Sequence, residues 1–174
     1  MFLLGDIGNT DVKIFLIDNK YKPIRKFILK TNLLSSKYLN LKLKFLNKKK
    51  NYINKVLFSS VVPNALNKIR LFFKRKITTT PLIEIKQINL QKFINIKVNR
   101  TQVGSDRIAN AIGMIDNSKN YIIIDFGTAT TFDVVVKKNY LGGVIAPGVD
   151  LSLQNLTSRA SLIPSINLTK ISNV

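Results

Sequence analysis

The chain has 174 residues, no cysteine, no histidine and a formal net charge of +19. These absences exclude disulfides, thiol nucleophiles, Ser-His-Asp catalysis and metal sites built on Cys or His. Any catalysis must therefore use carboxylates, lysine or arginine, hydroxyls and backbone amides.

The positive charge is unevenly distributed. Residues 20–100 carry 21 of the 28 Lys/Arg residues and one acid, Glu84, whereas the rest carries 7 basic and 8 acidic residues. A solvated lysine-rich face is one interpretation, and a surface that binds polyanions is the other. Few arginines and no tryptophan argue against nucleic acid as the partner.

A hydrophobic content of 45% is enough for a packed core. The start, "MFLLGD", is too short an apolar run for a signal peptide, and no stretch reaches the ~18 apolar residues of a membrane span. These features predict a cytoplasmic protein without a membrane partner.

The first elements are predicted to be strands. Apolar runs on either side of the Gly8-Asn9 turn predict a β-hairpin over residues 2–18, and residues 24–29 predict a third strand. Residues 33–54 predict a helix that leads into a lysine cluster. Its apolar residues at helical spacing are Leu39, Leu43 and Leu46.

A strand and a helix follow. The segment "KVLFSSVVP" predicts a buried strand that ends at Pro63, and the next helix is expected to have Asn64 as its N-cap. Residues 81–85 predict another short strand. The apolar face of the helix is expected to contain Leu66, Ile69 and Phe73.

The remaining chain repeats the opening pattern. A helix is predicted over "GSDRIANAIGMI", with Ser105 or Asp106 as its N-cap, and the polar stretch 116–120 reads as a domain boundary. A second hairpin is then expected over residues 121–136, a turn at 137–139, and a helix over residues 149–160. The sequence thus predicts an α/β protein with two related domains, residues 1–115 and the start of a second over 116–174.

The two hairpin turns suggest a phosphate site. Asp6-Ile7-Gly8-Asn9-Thr10 and Asp125-Phe126-Gly127-Thr128-Ala129 share an Asp, a glycine and small polar residues. Glycine lets backbone N–H groups approach phosphate oxygens, and an Asp at the end of a strand can hold Mg²⁺ through water. One such turn alone is ordinary turn chemistry, but two copies suggest a nucleotide held between two domains.

A third segment, "VGSDR", carries an acidic residue and a basic residue at a predicted helix start. Helix N-termini favour anions, and Arg107 adds a fixed cation. Asp106 can accept a proton from a substrate hydroxyl, although a capping role is the alternative. The loop "GGVIAPG", residues 142–148, predicts either close approach to a ligand or a packing turn.

Acids are rare in this chain, and several lie in or beside these segments. They are Asp6, Asp11, Asp106, Asp125 and Asp133. Their retention in a lysine-rich sequence suggests metal or proton chemistry.

Together these segments resemble the type III pantothenate kinases of the acetate kinase/sugar kinase/Hsp70/actin superfamily. The matching segments, in the family's order, are "GDIGNT", "SSVVP", "VGSDRIANA", "IIIDFGTATTFDVV" and "YLGGVIAPGVDLSLQNL". The resemblance implies two actin-like, ribonuclease H-like domains with a nucleotide cleft between them, the second incomplete. It also implies ATP-dependent phosphorylation of pantothenate to 4'-phosphopantothenate, the first step of coenzyme A biosynthesis.

The resemblance further implies roles for individual residues. Asp106 would be the catalytic base, and Asp6 would lie near Mg²⁺ through water. Asp125 would hold a monovalent cation, K⁺ or NH₄⁺. Residues that would contact ATP are Asp6, Ile7, Gly8, Asn9, Thr10, Asp11, Val12, Lys13 and Thr128. Residues that would bind pantothenate are Gly104, Ser105, Asp106 and Arg107. Family members are typically homodimers.

The sequence departs from the family pattern at three points. Ser105 replaces the usual Ala, and Lys97 and Arg100 stand where a Tyr and a Pro are usual. The chain also stops at Val174, short of the family's usual length, so a fragment, a partner that supplies the remainder and an eroding gene are the alternatives. A non-catalytic nucleotide-binding relative is the second functional hypothesis, and a basic nucleic-acid-binding module is the third.

Overall fold

Two β-sheets form the framework of the protein in a computed structural model that describes residues 1–49 and 52–160. The first sheet contains β1 (Phe2–Ile7), β2 (Asp11–Ile17), β3 (Pro23–Lys30), β4 (Lys55–Ser60) and β5 (Leu82–Glu84). Its spatial order is β3-β2-β1-β4-β5, in which β1 pairs antiparallel with β2 and parallel with β4.

The second sheet contains β6 (Asn95–Ile96), β7 (Asn120–Phe126), β8 (Ala129–Val136) and β9 (Asn139–Pro147). Its order is β6-β9-β8-β7, so β7 is an edge strand, and only β6 and β9 pair in parallel. The predicted α/β class with a hairpin at the start of each half is therefore confirmed.

Five α-helices accompany the sheets in the described part of the chain. They are α1 (Ser36–Lys42), α2 (Leu46–Lys49), α3 (Pro63–Lys76), α4 (Ser105–Gly113) and α5 (Val149–Arg159). Short 3₁₀ turns lie at Thr31–Leu33, Ile85–Gln87 and Leu90–Lys92.

The helix predicted over residues 33–54 is wrong in its extent. The chain instead forms α1, a turn at 43–45 and the single turn of α2. Residues 50–51 of that prediction lie outside the described residues. The apolar face is nevertheless correct, because Leu39, Leu43 and Leu46 are all buried in the first core. The three leucines are buried even though the helix is interrupted between Leu39 and Leu46.

The predicted cap of α3 is also wrong. Val62 is the N-cap, it makes no side-chain capping bond, and Pro63 is the first helical residue. Proline suits that position because its φ is already helical and its missing N–H would have no partner there. Pro63 therefore begins the helix, and Asn64 lies inside its first turn.

At α4 the predicted N-cap residues, Ser105 and Asp106, lie one and two positions too late. Gly104 is the N-cap, without a side-chain capping bond, and Ser105 and Asp106 occupy the first turn. Neither residue is therefore the N-cap, although the Asp106 carboxylate accepts the N–H of Arg107 within the first turn.

Two hydrophobic cores lie beneath the two sheets. The first packs β1–β5 against α1–α3, with Leu3, Ile14 and Ile69 among its fully buried residues. The second joins residues 85–115, including Ile108 and Ala111 of α4, to Val135 and Tyr140 of the second sheet. A domain boundary at residue 116 remains a prediction, and residues 161–174 of the predicted second domain lie outside the described residues.

Candidate active site

A cavity of about 580 Å³ opens between the tips of the two hairpins. The starts of α4 and α5 complete its wall. Its lining side chains are Asp6, Gly8, Asn9, Thr10, Asp11, Lys13, Val61, Asp106, Asp125, Phe126, Gly127, Thr128, Ala129, Thr131, Asp150, Leu151 and Gln154. This volume lies within the roughly 300–1,000 Å³ typical of small-molecule sites.

The tip of the first hairpin is held by hydrogen bonds from within the first sheet. The Gly8 N–H donates to the Asp11 carbonyl at 3.0 Å, which closes a tight turn. The Thr31 hydroxyl, just after β3, donates to the Gly8 carbonyl at 2.8 Å. Lys30 pairs with the Asp11 carboxylate at 2.8 Å. These contacts fix the tip before any ligand binds.

Asp6, the next-to-last residue of β1, is oriented by the adjacent parallel strand. Asp6 and Ser59 are register partners in β1 and β4, and the Ser59 hydroxyl donates to Asp6 Oδ1 at 2.8 Å. Ser59 is buried. The segment "SSVVP" thus supplies the hydrogen bond that orients the carboxylate of the first hairpin.

The tip of the second hairpin contacts both the first hairpin and α5. The hydroxyls of Thr10 and Thr128 lie 2.9 Å apart, so the two tips meet directly. The Gly148 N–H donates to the Thr128 carbonyl at 3.0 Å. A Cβ at Gly148 would lie 2.2 Å from the Gly127 carbonyl oxygen, so only glycine lets α5 begin this close to the tip.

Asp125 is held from α4. The Asn110 side-chain amide donates to Asp125 Oδ2 at 2.8 Å. Thr131 faces Asp125 in the β7–β8 register, and its buried hydroxyl has no hydrogen-bond partner among the described residues. The Asp125 carboxylate and the Thr131 hydroxyl, on neighbouring strands, offer oxygen atoms of the kind that bind hard cations.

Asp106 projects from the first turn of α4 into the cavity. Its Oδ1 accepts the N–H of Arg107 at 2.8 Å. A Cβ at Gly104 would lie 2.4 Å from that oxygen, so the glycine leaves room for the carboxylate. Burial is the main cause that raises the pKa of Asp106, with further increases from the charges of Asp6 and Asp125; the Arg107 N–H opposes them.

Arg107 points away from this cavity. It is buried, and its Nε donates to Asp133 Oδ1 at 2.8 Å. The same oxygen accepts a hydrogen bond from the Tyr140 hydroxyl. Asp133 and Tyr140 are almost fully buried beneath the second sheet.

The profile of the type III pantothenate kinase family matches residues 2–174. The chain belongs to this family. A type III pantothenate kinase of Pelagibacter ubique is 53% identical over 174 residues, which cover 100% of this chain and 70% of that protein. Another, from a Sulfurihydrogenibium species, is 36% identical over 183 residues, which cover 100% of this chain and 71% of that protein.

Membership of the type III pantothenate kinases confirms the resemblance that the motifs indicated. The family's reaction is the ATP-dependent phosphorylation of pantothenate in coenzyme A biosynthesis, a phosphoryl transfer to an alcohol. A crystal structure of a Baf family protein from Campylobacter jejuni shares the fold, with a TM-score of 0.56 and 21% identity. That match covers 98% of this chain and 65% of the other.

The structure brings most of the predicted site residues of this kinase together and leaves others outside the cavity. Nine line the cavity: Asp6, Gly8, Asn9, Thr10, Asp11, Lys13, Asp106, Asp125 and Thr128. The side chains of Ile7 and Val12 are fully buried in the first core. Gly104, Ser105 and Arg107 do not line the cavity, and Lys97 is exposed away from it.

Sequence reasoning missed the contribution of α5. Asp150, Leu151 and Gln154 line the cavity because Gly148 starts the helix against the second hairpin. One signal was available, since Asp150 is among the only 9 acids of the chain. Asp133, in contrast, was grouped with the site acids but lies in the core, paired with Arg107.

Two negative findings concern the described residues alone. Within residues 1–49 and 52–160, no group of three or more His, Cys, Asp or Glu side chains is arranged to hold a metal ion. None of the helices described is long and apolar enough to cross a membrane.

Proposed function

We propose that this chain transfers the γ-phosphoryl group of ATP to the primary hydroxyl of pantothenate, with Asp106 as the general base. The observation that carries the proposal is the position of Asp106 in one cavity with the tips of both hairpins. Phosphoryl transfer depends mainly on positioning and on charge stabilisation, with one group to receive the hydroxyl proton. An aspartate with a raised pKa suits that task.

ATP is proposed to lie with its phosphates between the two hairpin tips. Gly8 and Gly127 lie at these tips and allow close approach of backbone N–H groups. Asn9, Thr10 and Thr128 add side-chain donors. Lys13, on the cavity wall, provides a positive charge for the phosphates.

Mg²⁺ is proposed to bind near Asp6, largely through water and the phosphates. A site with one protein carboxylate fits Mg²⁺, which keeps several waters and takes one or two carboxylates. When bound, the ion offsets phosphate charge. Asp6 would hold it in a fixed place because Ser59 orients the carboxylate.

A monovalent cation, K⁺ or NH₄⁺, is proposed at Asp125. The Thr131 hydroxyl, which has no hydrogen-bond partner within residues 1–49 and 52–160, lies opposite Asp125 and supports this position. Asn110 restricts the Asp125 carboxylate from the α4 side.

Pantothenate is proposed to bind at the start of α4, against the Asp106 side chain and the backbone of residues 104–107. Asp106 would take the proton of the substrate hydroxyl while the oxygen of that hydroxyl bonds to the γ-phosphorus. The bond from that phosphorus to the bridging oxygen breaks, and ADP leaves with the electron pair. Backbone at Gly104 and Ser105 would contribute to substrate placement.

We also propose a cytoplasmic homodimer. The edge strand β7 exposes Ile122 and Ile124, and Val144 of β9 lies on the same face of the sheet through the Ile124–Phe132–Val144 register. Exposed apolar rows of this kind are typical of protein interfaces. A second copy of the chain is the proposed partner.

A coupled assay of ATP consumption, with and without pantothenate and K⁺, tests the function. Turnover that depends on both additives is expected. Nucleotide binding without pantothenate-dependent turnover would instead favour a non-catalytic relative, and the absence of both would contradict the proposal.

A further inference from the structure

Three elements of the second half converge on one carboxylate oxygen. Asp133 on β8 is 0% exposed, and its Oδ1 lies 2.8 Å from Arg107 Nε and 2.7 Å from Nη2. Tyr140 on β9 donates its hydroxyl to the same oxygen. The buried guanidinium of α4 is thereby fixed to two neighbouring strands.

The opposite residue of the sheet leaves room for this arrangement. Gly143 is the register partner of Asp133. A Cβ at Gly143 would lie 2.8 Å from Arg107 Nη2 and 1.9 Å from the Phe132 carbonyl oxygen. Gly143 of the segment "GGVIAPG" therefore provides space for the guanidinium.

Arg107 connects this cluster to Asp106. Its side chain is held by Asp133, and its backbone N–H donates to the Asp106 carboxylate at 2.8 Å. A shift of Arg107 would consequently move the N–H that orients Asp106.

Stability alone does not account for such a cluster. A buried ion pair must recover the cost of removing two charges from water, and well-packed apolar residues are often as stable. What the pair does provide is a single fixed geometry, here immediately beside the proposed base.

We infer that Asp133 and Tyr140 are positioning residues, which hold Arg107 so that its N–H places the Asp106 carboxylate for catalysis. This inference rests on the proposed function. Arg107 would thus orient the Asp106 carboxylate through its backbone N–H, while its own guanidinium lies in the core.

The kinetic test uses Asp133→Asn and the milder Tyr140→Phe, with Tyr121→Phe as a matched control. Tyr121 packs against the same core and is not part of the cluster. Asp133→Asn should lower kcat by about tenfold to a hundredfold, the range that misplacement of a catalytic group produces. Tyr140→Phe should lower it by about two- to tenfold, the size of one hydrogen bond. The KM for ATP should change less than twofold in both.

The pH profile separates positioning from general damage. Without the hydrogen bond from the Arg107 N–H, the ionised form of Asp106 loses one stabilising contact. It then faces four negative charges and the one positive charge of Lys13 in the cavity lining; the negative charges are those of Asp6, Asp11, Asp125 and Asp150. The acid limb of kcat should therefore move to higher pH in Asp133→Asn and stay in place in Tyr121→Phe. Unchanged kcat and an unchanged limb in both cluster variants would overturn the inference.

Hydrogen exchange tests whether Asp133 and Tyr140 hold Arg107 and the start of α4 in place, and this test does not depend on enzyme activity. Amides of residues 105–110 should exchange faster in Asp133→Asn and Tyr140→Phe, while amides of β4, in the other core, keep their protection. If the parent lacks pantothenate-dependent turnover, the proposed function fails. Hydrogen exchange still shows whether Asp133 and Tyr140 hold Arg107 in place. Unchanged protection of residues 105–110 would refute that role.

Discussion

At the scale of single residues, the environment of Asp106 combines opposing influences. Its partial burial and the carboxylates of Asp6 and Asp125 disfavour a negative charge, whereas the Arg107 N–H stabilises one. The net result is a raised pKa, which brings the group closer to working pH. A general base is most effective when its pKa lies near the operating pH.

Replacement of Asp106 by Asn should remove turnover and spare nucleotide binding. The amide cannot accept the hydroxyl proton, so kcat should fall by about 10²–10⁴-fold, the usual contribution of a general base. A coupled ATP assay and a direct measurement of nucleotide affinity check the two effects. Asp116→Asn, in the segment between α4 and β7 and outside the cavity lining, is the matched control.

Stability provides a second test of the same variant. A raised pKa means that folded Asp106 holds its proton more tightly than the unfolded chain does, so its charge lowers stability as pH rises through that pKa. The Asn variant should therefore melt at or above the parent's temperature at neutral pH. A lower midpoint with lost activity would indicate structural damage instead of a missing base.

The rate should depend on pH in a direction set by Asp106. The base works when deprotonated, so kcat should fall as pH falls through its pKa. Because that pKa is raised, the fall should begin above the ordinary Asp value of about 3.9. A profile of kcat at saturating substrates measures the limb. A rate that stays constant down to acid unfolding would exclude Asp106 as the base.

At the scale of elements, the cavity depends on close contacts that glycine permits. Gly148 lets α5 start against the second hairpin, and a Cβ there would meet the Gly127 and Thr128 carbonyl oxygens at 2.2 and 2.5 Å. Backbone atoms of a hairpin cannot yield as a side chain can. Contact of this kind transmits a change in α5 to the proposed phosphate site.

Gly148→Ala should therefore weaken ATP binding more than it weakens the fold. Displacement of the Thr128 tip should raise the KM for ATP by about tenfold, as expected from misplaced binding groups. Gly113→Ala is the control, since a Cβ at Gly113 meets nothing within 4 Å. Steady-state kinetics with ATP varied, beside thermal unfolding, distinguish the two effects. Equal KM values in both variants would contradict the role of this contact.

The sequence predicted the hairpins well because alternation and turn residues are local. Gly8-Asn9 and the Asp125–Thr128 stretch marked both turns, and the strands on either side follow. Helix ends were harder to predict. The break at Leu43 depends on which residues the core can bury, which no local pattern encodes. The start of α3 at Pro63 follows a local preference of proline for the first helical position, which the choice of Asn64 as N-cap overlooked.

Site prediction had the same limit. The hairpin residues and Asp106 lie in motifs that carry their own chemistry, so they could be proposed from the sequence alone. The contribution of α5 depends on where that helix packs, and the inward direction of Arg107 depends on Asp133 and Tyr140, which are distant in sequence. Both required the tertiary arrangement.

At the scale of the whole molecule, acidic and basic groups are segregated. The chain carries +19, yet five of its nine acids line one cavity: Asp6, Asp11, Asp106, Asp125 and Asp150. Such a site needs cations to accept ATP, which supports the proposed Mg²⁺ and monovalent cation. The net positive charge of the chain would attract anionic substrates over longer range.

The exposed face of the second sheet leads to a test of assembly. Ile122 and Val144 are 69% and 64% exposed, so lysine at both positions should leave folding intact and oppose pairing of two such faces. The dissociation constant of the dimer should rise about 30-fold or more, the effect of losing a hot spot of about 2 kcal/mol. Leu71→Lys, at a somewhat less exposed site on α3 with 57% exposure, is the control. Sedimentation velocity across a concentration series measures the change. A parent that stays monomeric throughout, or a double variant that associates as the parent does, would show that this face does not join two copies.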